Sequence, residues 1–326
     1  MRFAVSFALN RNGGKSLDSR SIWVRVPGTS ANCGPGFDSI GLACTVYNDL
    51  QLKLTEEPGC KITISGAGAE NIPCDERNIV WQSVQYILKK AHMEDTYKGA
   101  VIHMENNVPL SRGLGSSATA IVAGLKGANA LLNNRFTRKE LLQFATAIEG
   151  HPDNVAPAIY GGFTVSTTTR GDVECFTLIP KMRLKLVVAV PDFPLSTKKA
   201  REVLPKEVSM KDAINNIGRA AMMTAALCKG NEKFLRNVFE DALHQPYRAK
   251  LIPGMYEVFD AAKKAGALGA SLSGAGPCLI AYCLQRRHVE EAVGQAMKET
   301  FAQHGVKADI LIMDLDTRGA HIINDR

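Results

Sequence analysis

Residues 108–119 read Val108-Pro109-Leu110-Ser111-Arg112-Gly113-Leu114-Gly115-Ser116-Ser117-Ala118-Thr119, and this stretch decides the fold. Gly113, Gly115, Ser116, Ser117 and Ala118 are small, and they sit directly ahead of Ile121, Leu125, Ala128 and Leu132. Those apolar residues recur at three- and four-residue steps, the spacing of one helix face. A loop this small lets backbone N–H groups close around an oxyanion. The helix it opens adds unpaired donors and the positive end of a dipole. The stretch therefore reads as a phosphate cradle in a nucleotide-using enzyme. The plainer reading is a Gly/Ser cap on an ordinary helix.

The cradle belongs to neither common nucleotide fingerprint. A Gly-x-x-x-x-Gly-Lys-Ser/Thr run is absent; Gly14-Lys15-Ser16 comes nearest, but Leu9 stands where the first glycine belongs. Gly113 and Gly115 fit the start of Gly-x-Gly-x-x-Gly, but Ala118 replaces the third glycine.

Composition narrows the class. The 326 residues are 45% hydrophobic and 22% charged, ordinary for a soluble globular chain. No apolar run is long enough to span a membrane. The net charge of +7 comes without Lys/Arg blocks interleaved with aromatics and without zinc-finger spacing, which argues against nucleic acid as the partner. A mild positive field suits ATP and a carboxylate substrate equally. The eight cysteines include no Cys-x-x-Cys pair, so they read as small buried hydrophobes of a cytoplasmic protein. Residues 1–20 are expected to form a disordered N-terminal extension.

Outward from the cradle, Ser21–Val26 alternates as a strand ending at Pro27-Gly28, followed by a tight loop through Gly41. Strands are expected at 46–54, 61–65 and 100–106, and a helix over 78–93. Thr137 and Glu140 make a capping box for a helix that stops at Gly150, ahead of His151-Pro152-Asp153-Asn154. Phe163–Thr169 and Leu184–Val190 read as strands. Beyond them, 212–228, 232–244 and 254–265 read as helices, 271–277 as a second Gly-rich turn, and 306–315 as a last strand. The domain boundary is placed near residue 180, giving 21–180 and 181–326.

Three spaced motifs, Pro27–Gly41, Val108–Thr119 and Ser273–Pro277, resemble those of the GHMP small-molecule kinases. Pro27–Asp38, Glu149–Ala158, Ser196–Arg201 and His244–Pro253 are similar to the branch that phosphorylates homoserine. The likeness spans roughly residues 21–315 and leaves the N-terminal segment outside. It implies transfer of the ATP γ-phosphoryl group to the side-chain hydroxyl of L-homoserine, a step toward threonine. It implies an α+β, two-domain fold: an ATP-binding N-terminal part like ribosomal protein S5 domain 2 and a ferredoxin-like C-terminal part.

The same resemblance, with the chemistry of the side chains, gives the expected site. Residues 109–118 would hold ATP. Ser117 and Glu149 would supply hydroxyl and carboxylate to Mg²⁺, a cation that takes oxygen ligands. Arg201 and Arg248 would clamp the substrate carboxylate, since the guanidinium fork binds it in two places. Asn32 and Asp38 would receive the ammonium, and His151 would line the pocket. Asn154 would position the hydroxyl, Asp153 would support the loop, and Arg201 is counted with them as catalytic. An amide cannot take a proton as a base at neutral pH, so orientation stands in for base catalysis. The alternatives are another GHMP kinase, such as one acting on mevalonate or phosphomevalonate, or a non-catalytic sensor on the same fold. Asp38 argues against the first, because those substrates carry no ammonium. Ser116 and Ser117 argue against the second. A homodimer is the expected assembly.

Overall fold

The computed structural model describes residues 20–323, so the expectation for residues 1–20 lies, but for Arg20, outside the described residues. The chain first builds a seven-stranded sheet. Strands β1 (Ser21–Ala31), β2 (Ile40–Thr55), β3 (Gly59–Gly66) and β4 (Gly99–Asn106) are joined later by β5 (Phe163–Thr169) and β6 (Asp172–Leu178). The main path runs β1, β2, β4, β3; β3 pairs parallel to β4, and β5 pairs with both β2 and β6. In β1, Ile22, Val24 and Val26 are buried, as their alternation requires. The strand does not stop at Pro27. A register shift between Pro27 and Gly28 absorbs the proline, and pairing resumes through Ala31 opposite Gly41. A bulge of this kind re-aims the strand, here into the Gly-rich loop.

Helices α1 (Ile79–Ala91), α2 (Ser116–Leu131), α3 (Arg138–Glu149) and α4 (Pro152–Tyr160) contribute to the core against this sheet. Asn78 caps α1 by accepting from Val80 N–H, and the Thr137–Glu140 capping box of α3 is present. α4 is a helix that the sequence pattern past Gly150 does not predict. Pro152 occupies its first turn, where a missing N–H costs nothing, and Pro157 lies inside it, which masks the helix in the sequence.

The second sheet holds β7 (Leu184–Pro191), β8 (Gly269–Leu272), β9 (Leu279–Leu284) and β10 (Ala308–Asp314) in the order β10, β7, β9, β8, all antiparallel, the arrangement of a ferredoxin-like sandwich. Its helices are α5 (Thr197–Glu202), α6 (Met210–Lys229), α7 (Glu232–Leu235), α8 (Gln245–Arg248), α9 (Met255–Lys264) and α10 (Glu290–Gln303). Leu186 and Val188 of β7 face a core shared with Leu42 and Cys44 of the first sheet, while Val187 and Ala189 face the core under α9 and α10. Burial on both faces is why β7 reads as a continuous apolar run from Leu186 to Val190. Strand β11 (His321–Ile323) returns to pair with β1. On these sheets we propose the domain division near residue 180, the last strand excepted.

The helix expected over 232–244 breaks after Leu235. Val238 and Phe239 are buried in the shared core, and Phe239 stacks on Tyr282 at 4.4 Å. Their apolar character serves this packing rather than a helical stripe. The Asp241 carboxylate then accepts from the backbone N–H groups of Leu243, His244 and Gln245, holding a turn instead of a helix.

Candidate active site

A cavity of about 370 Å³ is lined by Leu110, Ser111, Arg112, Gly113, Gly115, Ser116 and Ser117 of the Gly-rich loop and by Asp38, Arg201 and Arg248. The Gly-rich loop is held from three sides. Thr29 N–H donates to the Leu114 carbonyl at 3.0 Å. Asn48 Oδ1 accepts from Asn107 and Val108 N–H at 2.9 Å, while its Nδ2 donates to Thr119 Oγ1 at 2.8 Å. Ser273 Oγ donates to the Gly113 carbonyl at 2.6 Å, so the second Gly-rich turn lies directly on the loop. Gly115 is the N-cap of α2 with φ +68°. A Cβ there would lie 1.9 Å from Thr29 Oγ1 and 3.1 Å from Asn154 Oδ1. The neighbouring protein atoms alone thus demand glycine.

Beyond the loop, Ile72, Ile79 and Met104 give the cavity an apolar stretch. Asn106, also on its wall, keeps Oδ1 buried with no hydrogen-bond partner among the described residues. An orphan acceptor beside an apolar slot suits the planar, amine-bearing base of a nucleotide.

Ser117 and Glu149 come together from different helices: Ser117 Oγ donates to Glu149 Oε2 at 2.9 Å. Burial pushes the Glu149 carboxyl above its usual range, against the opposing pull of the Ser117 bond and His151. No group of three His, Cys, Asp or Glu side chains that could cage a metal occurs among the described residues. One carboxylate and one hydroxyl fit Mg²⁺, which keeps waters and phosphate oxygens as its other ligands.

The first turn of α4 brings in the next three residues. His151, its N-cap, places Nδ1 2.5 Å from Oδ1 of the buried Asp153. Burial alone lowers the His151 pKa; the Asp153 hydrogen bond and charge, with Glu149 and Asp38, overturn this and leave it raised. Thr29 Oγ1 donates to Asn154 Oδ1 at 2.8 Å, so Asn154 keeps its Nδ2 donors for the cavity.

Also on the cavity wall, Asp38 and Arg201, expected to serve opposite ends of a substrate, form a two-fold ion pair with each other at 2.8 and 3.0 Å. Arg201 is held protonated by that bond. Asn32 Oδ1 accepts from Asp38 N–H and its Nδ2 donates to the Gly274 carbonyl, so it fastens the loop while lining the cavity. Arg248 is 2% exposed. Its Nε donates to Ala200 O at 3.1 Å and Nη1 to Gly274 O at 3.2 Å. Burial, reinforced by Arg201, lowers its pKa to about 10. Both guanidinium groups lie over the Phe37 ring, at 5.7 Å for Arg201 and 5.2 Å for Arg248. The residues expected in the site line one cavity, except Pro109, Leu114 and Ala118; Leu114 and Ala118 are instead fully buried in the core, where they pack the loop and the first turn of α2. The sequence motifs assign no separate role to Thr29, Phe37, Asn48, Asn106 or His244. The signal for Asn48 was a polar residue breaking the apolar alternation of β2.

The chain is similar to known proteins along most of its length. Models of the GHMP kinases N terminal domain and GHMP kinases C terminal match residues 78–162 and 217–303. The chain is 44% identical over 299 residues to a homoserine kinase of Carboxydothermus hydrogenoformans, covering 92% of this chain and 96% of that one. It is 43% identical over 300 residues to a homoserine kinase of Trichormus variabilis, covering 92% and 98%. Among solved structures, a homoserine kinase from Cytophaga hutchinsonii superposes with a TM-score of 0.85 at 31% identity, covering 98% of this chain and 100% of that chain. A mevalonate kinase of L. major shares the fold at TM-score 0.70 and 18% identity, covering 90% and 96%.

Proposed function

The chain belongs to the GHMP kinases, and from that premise we propose that it is a homoserine kinase. It transfers the γ-phosphoryl group of ATP to the side-chain hydroxyl of L-homoserine, feeding threonine biosynthesis in the cytoplasm. The observation that carries this reading is one cavity lined by two kinds of group. The start of α2 offers a helix N-terminus and backbone donors for phosphate. Arg201, Arg248 and Asp38 offer two cations and a carboxylate for a zwitterion.

In this reading ATP lies along residues 109–118 with its base toward Asn106. Mg²⁺ would be held by Ser117 and Glu149 and would supply neutralisation of charge on the phosphates. The homoserine carboxylate meets Arg201 and Arg248. Its ammonium meets Asp38, exchanging part of the Asp38–Arg201 pair for substrate contacts, with Asn32 and His151 alongside. Asn154 donates from Nδ2 to the reacting hydroxyl and fixes its direction. Asp153 anchors His151. Phosphoryl transfer through a loose transition state asks mainly for positioning and charge stabilisation, which these groups supply. We also read a homodimer from α6, whose Met210, Ile214 and Ile217 are 75%, 62% and 69% exposed along one face; a monomer in sedimentation at all concentrations would discard it. No described helix is long and apolar enough to cross a membrane.

An ADP-release assay with Mg-ATP and a panel of L-homoserine, mevalonate, galactose and glycerol tests the reading. L-homoserine is expected to be turned over far faster than the others at equal concentration. A preference for mevalonate, or no turnover of homoserine, sinks it.

A further inference from the structure

His244 is fully buried behind Phe37 and Arg248, and no role above uses it. Its ring lies parallel to Phe37, centroids 5.1 Å apart. Nε2 is 2.8 Å from the Gly34 carbonyl oxygen, and Nδ1 is 3.2 Å from Arg248 Nη1. These two partners fix the ring's protonation without further assumption. A carbonyl oxygen only accepts, so Nε2 must carry hydrogen. A guanidinium only donates, so Nδ1 must present its lone pair. We propose that His244 is a positioning residue: a neutral Nε2–H imidazole that aims Arg248 at the substrate carboxylate and joins it to the Gly-rich loop carrying Asp38. This rests on the reading of Arg248 as a carboxylate clamp.

The surroundings favour that state. Three hydrogen bonds, to Ala200 O, Gly274 O and His244 Nδ1, use Nε and Nη1 of Arg248 and leave Nη2 without a hydrogen-bond partner among the described residues. Arg248 lines the cavity. Protonating His244 would put an N–H against an N–H and a second cation beside Arg248. The charged groups that act on the ring are Asp241 on its own turn, 3.6 Å from Nε2, Arg248 on α8 and Asp38 on the Gly-rich loop; Arg201 acts on Arg248 in turn. Asp241 is already engaged by Leu243, His244 and Gln245 N–H and by Asn216 Nδ2. Burial, aided by Arg248 and opposed by Asp241, lowers the His244 pKa, so the neutral form persists through the physiological range.

Two variants and one spectrum test this. His244→Leu removes the acceptor, and His244→Asn keeps a neutral acceptor near the place of Nδ1 that cannot titrate. Loss of a hydrogen bond to a charged group corresponds to roughly 10–100-fold in affinity. His244→Leu is expected to raise the homoserine KM by about that factor, with the ATP KM unchanged. His244→Asn should restore most of the loss. In the wild type the homoserine KM should stay flat through neutrality and rise only on the acid side of the ordinary histidine range; in His244→Asn that acid rise should shrink. Nitrogen NMR of the histidines should show His244 as the Nε2–H form at neutral pH. Detection of Nδ1–H, a homoserine KM within twofold of wild type in His244→Leu, or an unchanged acid rise in His244→Asn overturns the proposal. If the wild type fails to phosphorylate homoserine, the functional reading falls, and the NMR result alone decides the state of His244.

Discussion

The two parts of the cavity lining are built in opposite ways. The part proposed to take phosphate comes from one short stretch, residues 110–113 and 115–117, at the start of one helix. The part proposed to clamp the zwitterion gathers Asn32 and Asp38 from a loop, Arg201 from α5 and Arg248 from α8, up to 216 positions apart in the chain. A helix N-terminus is a local device: its donors and dipole arise wherever the backbone turns helical. A zwitterion clamp needs opposite charges at fixed separations, which only packed elements supply. The parts also differ in what they have stored. The loop offers backbone donors, whereas Asp38 and Arg201 are already paired and must repartition toward a ligand.

The largest effect should come from breaking the local part. Gly115→Val sets a branched side chain at φ +68° and drives it into Thr29 Oγ1. Calorimetry should show ATP binding lost or weakened at least ~100-fold. Gly115→Ala should weaken it less, and Thr29→Ala added to Gly115→Ala should recover part of the loss, because the clash partner is gone. Unchanged ATP affinity in Gly115→Val would reduce the loop to a helix cap.

A middle-sized effect tests whether the site positions or reacts. Asp153→Asn keeps the shape of the side chain beside His151 but removes its charge. General-base catalysis is worth about 10²–10⁴ in rate, so a supporting role predicts a kcat loss under ~10². A loss of several thousandfold in a variant whose melting confirms folding would restore Asp153 as the base.

The smallest effect concerns stability. The Glu149 carboxyl titrates higher in the folded protein than in the unfolded chain. The folded state therefore binds its proton more tightly, and stability falls as pH rises between the two values. Glu149→Gln should raise Tm at pH 7 in chelator by roughly 1–3 °C, with the gain vanishing in acid where both side chains are neutral. A lower Tm at pH 7 would mean that the carboxylate is a structural anchor instead of a desolvated ligand.

What the sequence determined by itself was local. The Gly-capped start of α2, the α3 capping box and the alternation of β1 depend on hydrogen bonds and periodicities a few residues long, so they are legible in order. Resemblance to a known family then named Asp38, Arg201 and Arg248, which spacing alone could not connect. The tertiary structure decided the rest. It carried β1 past Pro27 by a bulge, because β2 still offered partners. It ended the helix expected at 232–244, because burying Phe239 against Tyr282 and binding three N–H groups to Asp241 gave the chain more than a continued helix would. It also paired Asp38 with Arg201 and set His244 between Gly34 and Arg248, since such partners are chosen by distance in space. A periodicity is encoded in neighbouring residues, but a hydrogen bond between residues 34 and 244 exists only once both sheets have packed.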